Sequence, residues 1–180
     1  MLFSHLNLFL GGFMKKICFT FFMIGALCLF FLFSCSKSGT LYDIITSVTV
    51  NDKSLPAGRI LCYGRMYDNT VSDDTLSEYL GLEGYPEFKD RIEDMAVYSS
   101  VNGDYCELAA MKLYKASDTP DGKLFFERRI AAATRALNMS GQKGYAEGAY
   151  IKVYGNTVVL YMMPDNASVE KQMRKVKQVF

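Results

Sequence analysis

The chain has 180 residues, with 20 Lys and Arg against 19 Asp and Glu, which gives a formal net charge of +1. This length is enough for one domain and a leader segment. A charge so evenly balanced predicts no basic face for DNA or RNA, so we exclude nucleic acid as a partner.

Residues 14–35 have the pattern of an export signal. Lys15 and Lys16 form a short basic segment, and residues 17–33 form an apolar run without a charged side chain. A run of this length is at the lower limit for a membrane-spanning helix, so an uncleaved signal anchor is one alternative.

The apolar run ends in Leu32-Phe33-Ser34-Cys35, which resembles the lipobox of bacterial lipoproteins. Phe33 is bulkier than the residue usual at that position, whereas Ser34-Cys35 matches. The resemblance implies that a diacylglyceryl group is attached to the thiol of Cys35 and that cleavage makes Cys35 the new N-terminus. Two acyl chains anchor a protein firmly, so we expect it on the extracytoplasmic face of the cell membrane. A buried cysteine in a membrane helix is the alternative.

Residues 1–13 precede the signal and fit it poorly, because they form a second apolar stretch ahead of the lysine pair. Gly11-Gly12 lies just before Met14, and glycine codons match the purine-rich ribosome-binding sequence upstream of a start codon. We therefore expect translation to begin at Met14. The predicted layout is a signal peptide over residues 1–34, including the misassigned start, and a lipidated cysteine with a flexible tether over residues 35–40.

The mature part of the chain, residues 35–180, differs in composition from the leader. All 12 tyrosines lie in it, whereas nine of the 13 phenylalanines lie in the leader. Without the leader lysines it carries 18 basic and 19 acidic residues, and its length suits one domain with a sizeable core. Cys62 and Cys106 are its remaining cysteines, and they form either one disulfide or two separate buried thiols.

The first half of the domain has short and weakly patterned elements. In chain order the sequence predicts an amphipathic helix or strand at residues 41–50, a loop at 51–58, an ambiguous and extended segment at 59–67, a helix at 74–80 and a short helix at 86–92. Ser72 or Asp73 caps the helix at 74–80 and Gly81 ends it. Pro86 suits the first turn of the helix that follows.

The second half of the domain has clearer patterns. It predicts strands at residues 94–101 and 105–114, a long helix at 120–141, strands at 149–154 and 157–163, and a helix at 166–180. Asn102-Gly103 and Gly155-Asn156 are hairpin signals between the strands. Two ββα units in succession imply an α+β domain with a four-stranded antiparallel sheet, helices on one face and short helices before it. This ββαββα core covers residues 94–180 of a single domain at residues 41–180.

Several segments together resemble the DUF4358 family of bacterial lipoproteins, mostly from Firmicutes. They are Tyr-Leu-Gly-Leu at 79–82, Met-Ala-Val-Tyr at 95–98, Glu-Leu-Ala at 107–109, Arg-Arg at 128–129 and Tyr-Gly-Asn-Thr-Val-Val at 154–159. The likeness covers about residues 73–175 together with the leader, and it is weaker over residues 40–70. The family carries no assigned activity, so the resemblance implies one functional residue, the lipid-bearing Cys35.

The domain lacks the residue sets of common catalytic and metal sites. The only histidine, His5, lies in the leader, which excludes Ser-His-Asp and Cys-His catalysis and weakens any zinc site. Cys62 and Cys106 lack the spacing of a metal or redox pair, and there is no glycine-rich phosphate loop. We therefore assign no catalytic residue, metal or cofactor, and we favour a protein that is not an enzyme.

Carboxylate and arginine pairs keep one alternative function open. Asp73-Asp74 and Glu93-Asp94 are carboxylate pairs of the kind used in glycan hydrolysis, although helix capping and solvation also explain them. Arg128-Arg129 either binds an anion or covers an exposed helix face. The alternative function is therefore an envelope enzyme of the glycan hydrolase type.

Tyr150, Lys152 and Tyr154 alternate with apolar residues in a predicted strand, so their side chains lie on one face of the sheet. If helices cover the other face, this face is open and suits an envelope protein, peptide or glycan. Ordinary strand propensity of tyrosine on a half-exposed sheet is the simpler explanation. The leading prediction is a lipid-anchored, non-catalytic binding protein of the cell envelope, with these three residues as its candidate binding site.

Overall fold

The computed structural model describes residues 39–64, 67, 70–83, 85–141 and 145–178. They belong to one structural unit that begins at Gly39. The export signal, Cys35 and the first part of the tether lie outside the described residues, so their predicted roles stay predictions. Within the described ranges, no helix has both the length and the apolar character needed to cross a bilayer.

Five strands form one antiparallel sheet in the order β1-β2-β3-β5-β4. They are β1 (Gly58–Gly64), β2 (Ile92–Ser100), β3 (Glu107–Leu113), β4 (Tyr150–Tyr154) and β5 (Thr157–Met162). The sequence predicted four strands, and the additional strand is β1, which pairs with β2 along its whole length. The fold is therefore α+β as expected, with a five-stranded rather than a four-stranded sheet.

Helices flank the sheet at both ends of the domain and between the strands. They are α1 (Leu41–Thr49), α2 (Asp73–Leu80), α3 (Thr119–Ser140) and α4 (Asn166–Lys177), with short 3-10 helices at Pro86–Arg91 and Ala116–Asp118. Thr40, Ser72 and Asp165 accept hydrogen bonds from backbone N–H groups in the first turns of α1, α2 and α4. Gly81 and Gly141 end α2 and α3 in the left-handed conformation.

One face of the sheet is covered by α2, the 3-10 helix Pro86–Arg91 and α3. Met95 of β2, Met111 of β3 and Val158 of β5 point to this side and are buried. They form one cluster with Leu80 of α2 and Phe126 of α3. This layer accounts for the apolar faces of both helices.

The opposite face is covered by α1 and α4, so the prediction that helices lie on one face only is wrong. Leu108 of β3 and Val159 of β5 are fully buried there, together with Ile45 of α1 and Val176 of α4. All six residues of β5 are buried. An apolar sheet face must be removed from water, and the first and last helices of the domain remove it.

Cys62 and Cys106 are both thiols in the structure, so the disulfide considered from the sequence is not formed. Cys106 is buried, with its Sγ 4.0 Å from the Sδ of Met163. Burial and the nearby Asp104 raise the pKa of the Cys106 thiol to about 12. Since the thiolate is the reactive form, Cys106 behaves as a small core side chain.

Candidate functional site

The three predicted binding residues lie on β4, which is an edge strand. Tyr150 is 42 % exposed, Lys152 is exposed and Tyr154 is half-buried. Across the ladder Tyr150 and Lys152 face Tyr161 and Val159 of β5, which belong to the core beneath α1 and α4. Tyr154 faces Thr157 and packs against the same core. The structure therefore brings the three residues together, but on a sheet face that helices cover rather than on an open one.

Helix α4 borders β4 and forms a groove with it. The groove has a volume of about 350 Å³ and is lined by Lys152, Tyr154, Glu170, Met173, Arg174 and Lys177. We call it the β4–α4 groove. Tyr150 lies on the same side of β4 but outside this lining. The α4 residues were not among the predicted site residues, because no local pattern tells which strand a helix borders.

The β4–α4 groove is basic with an apolar wall. Lys152, Arg174 and Lys177 face the single acid Glu170, which forms an i,i+4 ion pair of 3.6 Å with Arg174. Lys152 and Lys177 form no ion pair with any residue that the structure describes. Met173 supplies apolar area between these charges. Exposed cations beside aromatic and thioether groups suit an anionic ligand with some apolar surface.

A second depression is lined by one residue from each of the acidic pairs Asp73-Asp74 and Glu93-Asp94. It has a volume of about 540 Å³, and its lining includes Tyr63, Tyr67, Asp73, Lys89, Asp90 and Glu93. We call it the carboxylate cleft. Asp74, the neighbour of Asp73, is exposed and does not line the cleft, whereas Asp94, the neighbour of Glu93, is buried. The structure thus brings Asp73 and Glu93 together and separates each from its sequence neighbour.

Asp73 and Glu93 of the cleft each already bind a lysine. Asp73 forms an ion pair with Lys89 and also accepts a hydrogen bond of 3.3 Å from the Tyr63 hydroxyl. Glu93 Oε1 lies 2.7 Å from the Nζ of Lys112. The hydrogen bond from Lys89 lowers the pKa of Asp73, whereas a general acid needs a raised pKa. The cleft therefore matches a solvated ion-paired surface better than an acid–base site.

Asp94 has a structural role at the start of the domain. Its Oδ2 accepts a hydrogen bond of 2.9 Å from the Leu41 backbone N–H, and its Oδ1 accepts one of 2.6 Å from the Tyr67 hydroxyl. Burial and the bond to Asp94 raise the pKa of Tyr67 well above its usual value. Asp94 therefore fixes the beginning of α1 to β2, and both of its oxygens already accept a hydrogen bond within the domain.

Sequence reasoning missed a buried ion pair between α3 and the sheet. Glu107 is completely buried in β3, and its Oε2 accepts a hydrogen bond of 3.1 Å from the Nε of Arg129. The Tyr79 hydroxyl donates to Oε1 at 2.7 Å. The Arg129 guanidinium carbon also lies 4.9 Å and 5.4 Å from the ring centres of Tyr79 and Tyr105.

The structure gives the adjacent residues Arg128 and Arg129 different roles. Arg129 binds an anion, but the anion is the internal Glu107, and the Arg129 side chain is only 20 % exposed. Arg128 instead lies over the rings of Tyr85 and Phe125, at 4.9 Å and 5.3 Å. A glutamate at the start of an otherwise apolar strand was the available sequence signal, because such a residue needs a buried cation.

Burial and the Glu107 carboxylate shift the pKa values of Tyr79 and Arg129. Desolvation and the negative charge of Glu107 raise the pKa of Tyr79 well above its usual value. Burial alone would lower the pKa of Arg129, but its hydrogen bonds to Glu107 outweigh this and raise the pKa. Tyr79 therefore stays neutral and Arg129 stays charged across the physiological range.

The described residues suggest no metal centre, since they contain no group of three or more His, Cys, Asp or Glu side chains arranged to hold an ion. Comparisons with protein family models, curated proteins and solved structures gave no match to this chain. The resemblance to the DUF4358 lipoproteins therefore stays a prediction, and the site is interpreted from its own chemistry.

Proposed function

We propose that the chain is a lipid-anchored protein on the extracytoplasmic face of the cell membrane and that its domain is a non-catalytic binding module. The observation that carries the binding function is the β4–α4 groove. There Lys152 and Lys177 face solvent without an ion pair inside the described part of the chain, beside the apolar surfaces of Tyr154 and Met173. Unused charge next to apolar area supports recognition of an anionic envelope partner.

The anchor rests on the sequence around Cys35 and on the short distance to the domain. Cys35 is five Cα–Cα steps from Thr40, which caps α1. Five steps reach at most about 19 Å, so a lipid on Cys35 would keep the beginning of α1 close to the bilayer surface. Membership of the DUF4358 lipoproteins belongs to the same proposal, and it would place the domain within reach of membrane and envelope partners.

An envelope hydrolase acting through the carboxylate cleft is the alternative. One observation favours it, namely that Asp73 and Glu93 line the same cleft. Their ion pairs with Lys89 and Lys112 weigh against it, because substrate would have to displace both lysines. Release of soluble glycan from cell-wall material by the wild type, lost in the Asp73→Asn and Glu93→Gln variants, would establish the hydrolase instead.

The anchor is tested by replacing the predicted lipid cysteine. We expect Cys35→Ala to leave the precursor at full length and unlabelled by a radioactive fatty acid, because no other thiol lies at the end of the apolar run. Cys28→Ala is the matched control, since Cys28 lies inside the same run and should leave processing unchanged. Normal cleavage and labelling of the Cys35→Ala precursor would disprove the lipid anchor.

The binding module is tested by crosslinking in intact cells. We expect wild-type protein to be recovered with a crosslinked envelope partner, and the triple alanine variant of Tyr150, Lys152 and Tyr154 to lose it. A Tyr114→Ala, Lys115→Ala variant is the control, because both side chains are exposed but lie outside the β4–α4 groove. Equal recovery of the partner by the wild type and the triple variant would refute the groove as the binding site.

A further inference from the structure

We infer that the partner in the β4–α4 groove is an extended acidic peptide segment, which pairs with β4 as a sixth strand of the sheet. This inference rests on the proposed binding function and adds the chemistry and the geometry of the partner. It follows from the backbone of β4, the charge of the groove and the chemistry of the other sheet edge.

The backbone of β4 has hydrogen-bonding groups that form no sheet or loop hydrogen bond with any other residue that the structure describes. Gly155 and Asn156 connect β4 to β5 in a two-residue turn, and Tyr154 faces Thr157 as the pair next to that turn. In such a hairpin the pair beside the turn is hydrogen-bonded and the following pairs alternate. The backbone N–H and C=O groups of Ile151 and Val153 therefore point away from β5, toward the solvent edge.

The opposite edge of the sheet is partly occupied by the protein itself. The Val71 backbone N–H donates to the Cys62 carbonyl of β1 at 2.8 Å. The Thr70 hydroxyl accepts a hydrogen bond of 3.2 Å from the Gly64 N–H. The chain after β1 thus covers part of that edge, whereas β4 presents its outer groups next to the groove. Strand addition is a common way of binding an extended peptide at such an edge.

The charge of the groove determines which side chains the added strand would carry. Residues opposite Lys152 in a new strand point to the same side as Lys152, toward Arg174 and Lys177. Acidic side chains at alternate positions therefore fit this side. On the other side the new strand would lie beside Ile151 and Val153, the latter 40 % exposed, which suits apolar residues. The segment that fits best alternates acidic and apolar residues.

A second copy of the same chain fits β4 less well. Antiparallel pairing of two β4 strands over their full length would be symmetric about Lys152, so that the two Lys152 side chains would be directly opposite. Like charges in that position destabilise a strand pair. An acidic partner replaces this repulsion with attraction, and for that reason the inference favours a different molecule.

The first experiment measures peptide binding to the purified full-length lipoprotein in detergent. The probe is a fluorescent heptapeptide that alternates Glu and Val, and a peptide of the same composition with its order scrambled is the reference. We expect binding of the alternating peptide by fluorescence anisotropy, and a loss of about tenfold or more in Lys152→Glu. Lys115→Glu makes the same charge change outside the groove and should not weaken binding.

The second experiment separates strand addition from simple charge attraction. We expect the peptide to slow hydrogen exchange at the backbone amides of Ile151 and Val153, which point outward, more than at Lys152, whose amide already bonds to β5. Val153→Pro removes one outward N–H without removing a bond to β5 and should weaken binding. Circular dichroism of the Val153→Pro variant is used to check that it is folded.

Three results would overturn the inference. They are the absence of binding, equal binding of the alternating and scrambled peptides, or binding that leaves both outward amides unprotected. A peptide-free dimer that Val153→Pro disrupts would show instead that β4 pairs with a second copy. Each of these results leaves the crosslinking test of the proposed function independent, because that test does not assume a strand or an acidic partner.

Discussion

Buried carboxylates connect distant parts of this domain. Asp52, Asp94 and Glu107 are each buried, and each binds donors from another element of the fold. A buried carboxylate is tolerated because such donors compensate for the lost hydration. Removing a donor from one of them therefore costs more than removing an ion pair on the surface.

The Arg129–Glu107 pair gives a prediction for a single residue. Arg129→Met should lower the free energy of unfolding by about 3–5 kcal/mol, because it leaves the Glu107 carboxylate buried without its cation. The double variant Arg129→Met, Glu107→Gln should be more stable than the single one, since no buried charge then lacks a partner. Urea unfolding followed by circular dichroism measures both variants.

Arg128→Met is the matched control for that experiment. Arg128 stacks on Tyr85 and Phe125 and binds no buried carboxylate among the described residues, so its loss should cost about 1 kcal/mol or less. Equal destabilisation by the two arginine variants would show that the buried pair has no special role.

Single-residue features were predictable where their partners are close in sequence. The cap of α2 was identified as Ser72 or Asp73, and Ser72 takes this role, because a cap bonds to the backbone three residues ahead. The partner of Arg129 was not predicted, because Glu107 is 22 residues away and comes from a strand in another layer. The same limit applies to Arg174 and Lys177, which border Lys152 only after α4 has docked beside β4.

At the scale of elements, periodicity located most helices and strands but not the side on which each helix packs. The apolar face of α4 repeats at helical spacing, which shows that it is buried without showing against which sheet face. The signal for a second helical layer was in the strands. β5 and the middle of β2 are continuous apolar runs, a pattern typical of strands buried on both faces.

Strand β1 was missed as a definite strand because its own pattern is weak. It runs from Gly58 to Gly64 and has no residue buried to the core level. Its pairing with β2 is a tertiary effect: glycine at position 58 permits Tyr98 of β2 to lie directly over the backbone. Propensity alone does not reveal such a contact.

Gly58→Ala tests this close approach of β1 and β2. A Cβ at position 58 would overlap the Tyr98 ring and lie 2.8 Å from the Ser99 carbonyl oxygen. Tyr98 would have to move and give up its hydrogen bond to the Pro56 carbonyl, so we expect a loss of about 1–3 kcal/mol in unfolding free energy. Thermal and urea unfolding measure it.

The same variant has a spectroscopic readout. Burial raises the pKa of Tyr98 to about 12, so displacing the ring into solvent should bring this pKa down toward about 10 in an ultraviolet titration. Gly39→Ala is the control, since its nearest neighbour would be the Asp43 Cβ at an ordinary 3.6 Å. Unchanged stability and an unchanged Tyr98 titration in Gly58→Ala would contradict the close approach.

For the whole molecule, the important contact is the one between the first and last helical segments. Asp52 follows α1, and it accepts hydrogen bonds from Lys171, Gln172 and Lys175 of α4 at 2.7–2.9 Å. Burial alone would raise the pKa of Asp52, but the bonds from Lys171, Ser54 and Lys175 outweigh it and hold this pKa well below its usual value. The ionised carboxylate therefore stabilises the packing of α4 against the segment that follows α1.

Asp52→Asn should remove this stabilisation in a pH-dependent way. Because the pKa of Asp52 is lowered on folding, its contribution is complete above the unfolded-state pKa of about 4 and is lost as the pH falls below that value. We expect the variant to be less stable by about 2 kcal/mol at about pH 7, since both lysines are partly exposed. The difference from wild type should shrink below about pH 4, as measured by urea unfolding.

Asp90→Asn is the control for that series. Asp90 is exposed, and its replacement should change stability by roughly 0.5 kcal/mol or less at either pH. A difference between wild type and Asp52→Asn that is constant over the whole pH range would show that the effect is loss of packing rather than of charge.

Helices α1 and α4 together cover one sheet face, and this affects how the chain can fold while it is being synthesised. These helices are the first and last of the domain, and the bonds from Asp52 to α4 span about 120 positions. Contacts at such separation form late, since the whole intervening chain must be synthesised and closed into a loop first. The nascent polypeptide therefore cannot complete the cover of this sheet face until α4 has emerged, because Val169 and Val176 belong to the same buried cluster as α1. If the chain is exported as we propose, this late completion of the core would help to keep the precursor unfolded until it has crossed the membrane.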